Sequence, residues 1–557
     1  VVQYLERFRF QGEKYMKLVS VAEMQVIERE ADAHGLTFAQ MMENAGLGLA
    51  REVMALPFDE EQDELDALGL VGPGNNGGDT LVALAFLAAN GWMTRAYLIK
   101  RPERDLLVER FRAAGGQVVL AANDDGFHDL AAFLETASVV LDGVLGTGTK
   151  LPLRDDVSRP LAAARDLLAR LEELPVVIAV DCPSGVDCDS GVAAPETIPA
   201  DLTITMAAVK QGLLRLPAYG LCGGLRVTGI GLRDDEPALA AIRSEVANAD
   251  LVRAILPPRK LDAHKGTFGT ALVAAGSLNY TGAALLAGEA AYRIGAGLVT
   301  LAVPAPLHAA LAGRLPEATW VLLPHEMGVV SAAGAGVLIQ AAERATALLV
   351  GPGLGLERSA EEFMRGLLDG RASNKKMAAG IGFVHDKTAQ EETPSLPPLV
   401  VDADGLKLLA QIDGWAAKLP GPAVLTPHPG EMAALIGIPK DEIQRGRQVL
   451  AEKYAAEWGH VVVLKGAFTV VAAPDGRTTT IPVATPALAR AGTGDVLAGL
   501  IVGLRAQGVG AYEAAVAGAW IHAQAGLLAE GALGGSASVL AGDVLAAVPD
   551  VLAELAE

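Results

Sequence analysis

The chain carries 557 residues, a formal net charge of −21 and 51% hydrophobic residues, but only 4% aromatics. That length calls for roughly two to four domains, with cores built mostly from Ala, Val, Leu and Gly, as closely packed α/β layers require. The acidic balance argues against a general nucleic-acid or anionic-membrane binder, which needs basic surface, and leaves room for a small anion held by a few glycines and lysines.

Residues 1–15 mix Glu6, Arg7, Arg9, Glu13 and Lys14 with no long apolar stretch, so they are not a signal peptide and read as an extension ahead of the first domain. Leu18 to Ala50 reads as two helical segments, the first capped by Ser20 with Glu23 completing a capping box. Short strands then alternate with amphipathic stretches: Leu68–Val71, Thr94–Ile99, Gln117–Leu120, Val139–Leu141, Val176–Val180, Leu202–Met206 and Leu225–Gly229, with a helix over Thr80–Asn90. The alternation predicts a mostly parallel sheet covered on both faces. Ligands of such sheets bind beyond the carboxyl ends of strands, where Asn75–Asp79, Asp142–Lys150 and Asp181–Asp187 all fall. Residues 233–259 read as a connector. A second α/β series follows: Thr270–Ala274, a helix over Gly282–Gly295, Val299–Val303, Leu348–Val350, Leu399–Val401, Ala423–Leu425 and Val461–Leu464. The polar stretch at about 372–397 reads as an exposed insertion. Cys182, Cys188 and Cys222 are too few for a disulfide framework or a zinc finger, and read as buried thiols in a reducing cytoplasm. No apolar run is long and clean enough to span a bilayer.

In the first half, Gly72-Pro73-Gly74-Asn75-Asn76-Gly77-Gly78-Asp79 is a backbone-exposing loop between a strand and a helix. It is neither GxGxxG nor a Walker A loop, and a tight structural turn is its bland reading. Asp142 to Lys150 adds a strand-end carboxylate, a flexible loop and a cation; Asp181 to Asp187 adds another carboxylate and the Ser184 hydroxyl. Oxygens of Asn76, Asp142 and Ser184 suit a hard cation, and Asp181 with Lys150 suits an acid/base pair. Singly, strand-end aspartates often cap and lysines are usually solvated; the coincidence of three loops points to function. In this order and at these separations, with Met41–Gly46 in the helical opening, they resemble the NAD(P)H-hydrate epimerase domain over about Met16 to Leu232. The resemblance implies a Rossmann-like three-layer α/β/α fold that interconverts the R and S epimers of NADHX and NADPHX, the hydrated reduced cofactors. It implies potassium ligands at Asn76, Asp142 and Ser184. It implies substrate contacts at Asn75, Asn76, Gly77, Gly78, Asp79, Gly146, Thr147, Gly148, Thr149, Lys150, Leu151, Pro152 and Asp181, with protons handled by Asp181 and Lys150.

In the second half the central stretch is Ala491-Gly492-Thr493-Gly494-Asp495, ahead of a helical run Val496 to Leu504. Glycines at a helix start free the backbone to approach a ligand, and the unpaired first-turn N–H groups suit a phosphate or a developing oxyanion. An aspartate at that mouth can take the proton of a hydroxyl attacking a phosphoryl group. His264–Gly269, Gly351–Gly355, Asp402–Asp404, the rigid loop Thr426–Glu431 and Lys465–Thr469 surround it in sequence as strand-end or glycine-rich loops. A lone His428 is more often structural than catalytic, and Asp402 and Asp404 either cap or place a metal. Together these resemble the ADP-dependent NAD(P)H-hydrate dehydratase domain, a branch of the ribokinase-like kinases, from about Lys260 to the end. The resemblance implies hydrate contacts at Ala283, Gly353, His428 and Asp495, and adenine-nucleotide contacts at Lys465, Gly466, Ala467, Phe468, Thr469 and Gly494.

The joint resemblance implies a cytoplasmic enzyme that epimerises both hydrates and dehydrates the S form at the expense of ADP, with Mg²⁺ accompanying the nucleotide. Asp495 would help the hydrate oxygen attack the terminal phosphoryl group, and the ring nitrogen would then expel phosphate, leaving AMP. Expected partners are NADHX, NADPHX and ADP, with further copies of the chain in a homo-oligomer; no nucleic acid and no membrane. Two other readings stand beside it: a small-molecule kinase of the hydroxymethylpyrimidine or sugar type with a nucleotide-binding regulatory domain, and a non-catalytic binding module that recruits a partner through its N-terminal half. Asp181 with Lys150 discriminates against the first, since binding alone does not need them.

Overall fold

The computed structural model describes residues 10–11, 16–58, 65–370 and 396–556. The chain folds as two compact α/β units, residues 1–248 and 249–557. The expected extension, apart from the backbone of Phe10 and Gln11, and nearly all of the expected insertion lie outside the described residues.

The first unit has strands β1 (Phe10–Gln11), β2 (Met16–Val19), β3 (Asp66–Val71), β4 (Met93–Leu98), β5 (Gln117–Leu120), β6 (Val139–Gly143), β7 (Val176–Val180), β8 (Leu202–Met206), β9 (Val209–Lys210), β10 (Gly224–Thr228) and β11 (Ser244–Val246). Eight of them form an all-parallel sheet in the order β1-β10-β8-β7-β6-β3-β4-β5. The sheet is buried on both faces, so its strands read as apolar runs rather than alternating ones. One core packs Leu49, Leu84 and Phe111 of the covering helices against it; the other packs Leu130 and Leu161 on the opposite face. From β3 the chain steps outward through β4 to β5 and then crosses back to β6 on the other side of β3, so the strand order reverses there and a crevice is expected at the carboxyl ends of β3 and β6.

Local chemistry sets the helix starts. Ser20 and Thr37 both close capping boxes, with Glu23 and Gln40, so the two expected opening helices form as Val21–Ala33 and Phe38–Met54. The glycine-rich turn differs from expectation. The chain enters the helix Asn75–Ala89 at Asn75 rather than at Thr80. Gly77 permits this early start, because a Cβ there would lie 2.1 Å from the Gly72 carbonyl oxygen. The expected connector is also partly structured: β11 pairs antiparallel with β2, and Leu239 and Ile242 pack on the first core.

The second unit has β12 (Thr270–Ala274), β13 (Leu298–Pro304), β14 (Thr319–Leu323), the short hairpin β15 (His325–Glu326) and β16 (Val329–Val330), β17 (Ala347–Val350), β18 (Leu399–Val401), β19 (Val424–Leu425), β20 (Val461–Leu464), β21 (Val470–Ala472) and β22 (Thr478–Thr480). β14-β13-β12-β17-β18-β19-β20 run parallel, and β21 and β22 extend the sheet antiparallel. The helix Thr493–Ala506 lies tight against the helix Thr281–Arg293. Gly499 and Gly503 make that approach possible: a Cβ at Gly499 would sit 2.3 Å from the Ala287 carbonyl, and one at Gly503 2.3 Å from Ile294 Cγ2. No helix among the described residues is long and apolar enough to cross a membrane. The three cysteines are buried and form no disulfide.

Candidate active sites

The parallel register brings the first unit's loops together. Leu70 pairs with Asp142 and Asp142 with Ala179, so the ends of β3, β6 and β7 lie side by side. Asp142 is buried, and its Oδ2 accepts the Ser184 N–H at 2.8 Å. Ser184 Oγ accepts the Leu145 N–H at 2.8 Å. Asn76 Nδ2 reaches the Val180 carbonyl at 2.5 Å and the Leu145 carbonyl at 3.3 Å. Gly146 lies against Asn76 so closely that a Cβ would stand 2.3 Å from Oδ1. Asn76, Asp142 and Ser184 therefore form one cluster, joined by backbone carbonyls. Burial pushes the Asp142 carboxyl upward, and its Oδ1 has no hydrogen-bond partner. An orphaned carboxylate oxygen among carbonyl and hydroxyl oxygens is the chemistry a hard monovalent or divalent cation satisfies.

Asp181 follows β7 directly, with φ of 67°, in the left-handed region. Its Oδ1 accepts from Thr205 Oγ1 and the Met206 N–H, each at 2.9 Å, and from the ammonium of Lys210. Lys210 is only 1% exposed; it also donates to Thr205 Oγ1 at 3.0 Å and to the Met206 carbonyl at 2.9 Å. Lys150, expected to work with Asp181, is exposed, and the ammonium bound to Asp181 is that of Lys210. Motif reading missed Lys210. The available signal was a lone lysine inside the apolar run Met206–Leu214, where burial demands a carboxylate partner. Asp79 belongs to the same group: burial first, then the Asp181 and Glu28 carboxylates, push its carboxyl well upward. Burial likewise raises Glu28. Asn75, Gly148 and Pro152 are exposed, Gly77 and Gly78 are buried, and Thr147 and Leu151 lie between. Thr149 Oγ1 donates to the Gly146 carbonyl at 2.8 Å, closing the loop on itself.

The second unit collects its loops at the carboxyl ends of β12, β17, β18, β19 and β20. Gly353 packs on the helix carrying Ala283, where a Cβ would meet Ala283 Cβ at 3.0 Å. The Gly355 N–H donates to Asp404 Oδ2 at 3.1 Å. Asp402 is fully buried; its Oδ1 accepts from Thr426 Oγ1 and Lys465 Nζ, both at 2.6 Å, and its Oδ2 has no partner. Glu431 Oε2 lies 3.6 Å from Lys465 Nζ. Burial opposes the charge on Lys465, yet Asp402 and Glu431 outweigh it and raise its pKa. His428 Nδ1 accepts the Gly430 and Glu431 N–H groups at 2.9 and 3.2 Å, and its Nε2 faces Glu431 Oε1 at 3.3 Å. Burial, then Lys465 and Lys407, pull His428 down to about 4, so it is a neutral ring protonated at Nε2.

Gly492 holds φ of 90° and starts the helix Thr493–Ala506, so Gly494 and Asp495 occupy its first turn. Gly494 lies next to Lys465 and Asp402, with its would-be Cβ 3.4 Å from Lys465 Nζ and 3.8 Å from Asp402 Oδ2. Burial, with Asp402, Asp404 and Glu431 around it, pushes Asp495 up to about 7 against the pull of Lys465. A carboxyl poised at neutral pH is suited to accept a proton. Beside it opens a cavity of about 370 Å³ lined by Lys465, Gly466, Ala467, Thr469, Gly494, His428 and further residues. Phe468 joins this loop through its N–H, which donates to the Val483 carbonyl at 3.0 Å. The His264–Gly269 motif stays apart. It forms a 3-10 turn (Lys265–Phe268) before β12, and Gly269 packs against the Ala506 carbonyl at the far end of the helix Thr493–Ala506.

Fold and geometry thus define a two-unit α/β protein with two candidate sites, each at the carboxyl edge of a parallel sheet, one of them a glycine-opened helix start with a poised carboxyl group. Residues 271–545 match the family described as NAD(P)H-hydrate dehydratase, and residues 38–212 the family described as YjeF-related protein N-terminus. The bifunctional NAD(P)H-hydrate repair enzyme Nnr of Moorella thermoacetica is 35% identical over 551 residues, spanning 97% of this chain and 98% of its own. Those of Thermofilum pendens and Salinibacter ruber are 34% and 35% identical, spanning 92% and 96% of both chains respectively. The chain belongs to the family of bifunctional NAD(P)H-hydrate repair enzymes.

Proposed function

We propose that this protein repairs hydrated nicotinamide cofactors: residues 16–232 epimerise R- and S-NAD(P)HX, and residues 260–557, joined through 233–259, dehydrate the S epimer at the expense of ADP. The observation that carries the reading is Asp495, in the first turn of a glycine-opened helix, with its carboxyl poised at about 7. The hydrate hydroxyl sits beside the ring nitrogen, and hydroxide is a poor leaving group. Asp495 takes the hydroxyl proton as the oxygen attacks the terminal phosphoryl group of ADP, releasing AMP. The first-turn N–H groups after Gly492 and the Lys465 ammonium face the developing charge. The ring nitrogen lone pair then expels phosphate, a ring proton is lost, and NAD(P)H forms. Ala283 and Gly353 form the wall for the hydrate. His428, neutral, positions rather than titrates.

The carboxylates of Asp402 and Glu431, with Asp402 Oδ2 orphaned, fit a magnesium ion accompanying the nucleotide. When bound, it would neutralise phosphate charge. In the first unit the orphaned Asp142 Oδ1, Asn76 and Ser184 fit potassium. There Asp181, with Lys210 as its charge partner, handles the epimerisation protons, and the loops Asn75–Asp79 and Gly146–Pro152 hold the substrate. Residence in the cytoplasm completes the reading, supported by the buried free thiols.

Mixed R/S NADHX is incubated with the full chain and ADP, in potassium and in sodium buffer, while regenerated NADH is followed by absorbance. Recovery of both epimers, faster in potassium, is expected. Recovery of the S form alone would sink the epimerase assignment; no recovery with ADP or ATP would sink the dehydratase, and equal rates in both buffers would sink the potassium site.

A further inference from the structure

The loop after β20 lines the cavity beside Gly494 with Lys465, Gly466, Ala467 and Thr469. Arg447, the first residue of the helix Arg447–Trp458, packs against that loop. Its Nη2 donates to the Leu464 carbonyl at 2.7 Å and its Nη1 to Gln444 Oε1 at 2.8 Å. Both nitrogens lie against Gly466, where a Cβ would stand 3.0 Å from Nη1 and 3.3 Å from Nη2. Gly466 holds φ of 141°, so glycine supplies both the backbone conformation and the space beside the guanidinium.

What this guanidinium lacks is an anion. Both of its partners are uncharged, an amide and a backbone carbonyl. Burial pulls it down to about 10, with no carboxylate to hold it up. Its Nε is closed to solvent and has no hydrogen-bond partner. The first position of a helix adds to the cost, because the positive end of the helix dipole disfavours a cation there. In a chain of net charge −21 a counter-ion is easily supplied, and here none is. Lys465, the other cation of the loop, is in the opposite state: its ammonium lies 2.6 Å from Asp402 and 3.6 Å from Glu431. The unspent positive charge beside the loop is therefore that of Arg447, and partial burial keeps water from screening it.

Resting on the nucleotide reading of the loop, we propose that Arg447 is a positioning residue for the nucleotide: it ties the end of β20 at Leu464 and holds an uncompensated positive charge against Gly466 that favours a phosphate-bearing ligand in the adjacent cavity. It acts through the loop and through space, without touching the ligand.

The test measures ADP binding to the full chain by calorimetry, and kcat and KM for ADP in the recovery of NADH from S-NADHX. The decisive variant is Gln444→Glu. Gln444 is exposed and already accepts from Arg447, so the substitution keeps the shape and the hydrogen bond and gives the guanidinium the carboxylate it lacks. ADP is expected to bind about fivefold more weakly, with KM rising, kcat held and the melting temperature unchanged or raised. Arg447→Met should weaken ADP about tenfold, and Arg447→Lys, which keeps the charge, should recover most of that loss. Each loss should shrink as salt is added. If Gln444→Glu binds ADP as tightly as the unmodified protein, the charge does not act and the proposal falls. If Arg447→Lys is as weak as Arg447→Met, the guanidinium serves shape alone and the proposal falls too. A lower kcat with KM unchanged would put Arg447 in the chemical step, against the proposal. If the unmodified protein binds neither ADP nor ATP, the nucleotide reading itself has failed. Gln444→Glu decides the matter even if Arg447→Met does not fold.

Discussion

Asp181 in the first unit and Asp495 in the second are both carboxylates at the carboxyl edge of a parallel sheet with other carboxyl groups nearby, yet they differ in the donors that reach them. Asp181 has three donors on one oxygen: a hydroxyl, a backbone N–H and the buried Lys210 ammonium. Asp495 has carboxylates for neighbours, Asp402, Asp404 and Glu431, and Lys465 draws it down against them. The first arrangement fixes a carboxylate and its cation as a unit; the second keeps a carboxyl group near its point of proton exchange. Residue type alone does not distinguish them. What differs is which charges the fold delivers to each.

The contrast breaks most sharply at Asp495. Asp495→Asn removes the proton acceptor and should lower ADP-dependent recovery of the S epimer by about a thousandfold, with R/S exchange untouched. Loss of both activities in a folded variant would show that the sites are not separate. Next comes Lys210→Met, which leaves Asp181 buried without its ammonium. Denaturant unfolding should show a loss of about 3–5 kcal/mol, and R/S exchange should fall by about a hundredfold, while dehydration of pure S-NADHX persists. Lys150→Ala should do less to exchange than Lys210→Met; the reverse ranking would return the acid/base role to Lys150.

The smallest and most graded effect is that of pH. Asp495 must be ionised to accept a proton, so with the carboxyl at about 7 the single-turnover dehydration rate should fall about tenfold per pH unit below that value and level off above it. The stability effect has its own sign. The folded-state pKa is raised above the ordinary 3.8, so the contribution of the protonated form is fully present below that value and is lost as pH rises through about 7. Asp495→Asn should therefore melt above the unmodified protein at pH 8 and converge with it at pH 4. A flat pH–rate profile between 5 and 8 would remove Asp495 as the base.

Much of both sites was legible because it lies in short glycine-rich stretches after apolar runs. Asn76, Asp142 and Ser184 are 66 and 42 residues apart in sequence, but each lies at or just beyond the end of a strand, and parallel strands end together. The same rule brought Gly353, His428 and Lys465 to one edge. It failed at Lys210, which sits in the short strand Val209–Lys210 with no motif around it. It failed also at Asn75, where the glycines that looked like a loop serve a helix start packed so closely on the preceding turn that a Cβ at Gly77 would lie 2.1 Å from the Gly72 carbonyl oxygen. His264–Gly269 precedes its strand, as its place in the sequence indicates, and so falls at the opposite end of the sheet.

The sequence by itself determined the α/β rhythm, the strand-end loops and the residue types they carry, because apolar periodicity, capping boxes and glycine are local properties. Only the tertiary structure decided the charge environment of each carboxyl group. Pairing Asp181 with Lys210 and crowding Asp495 with three carboxylates both depend on burial and on distances between segments far apart in the chain, and it is burial that turns a nearby charge into a large effect.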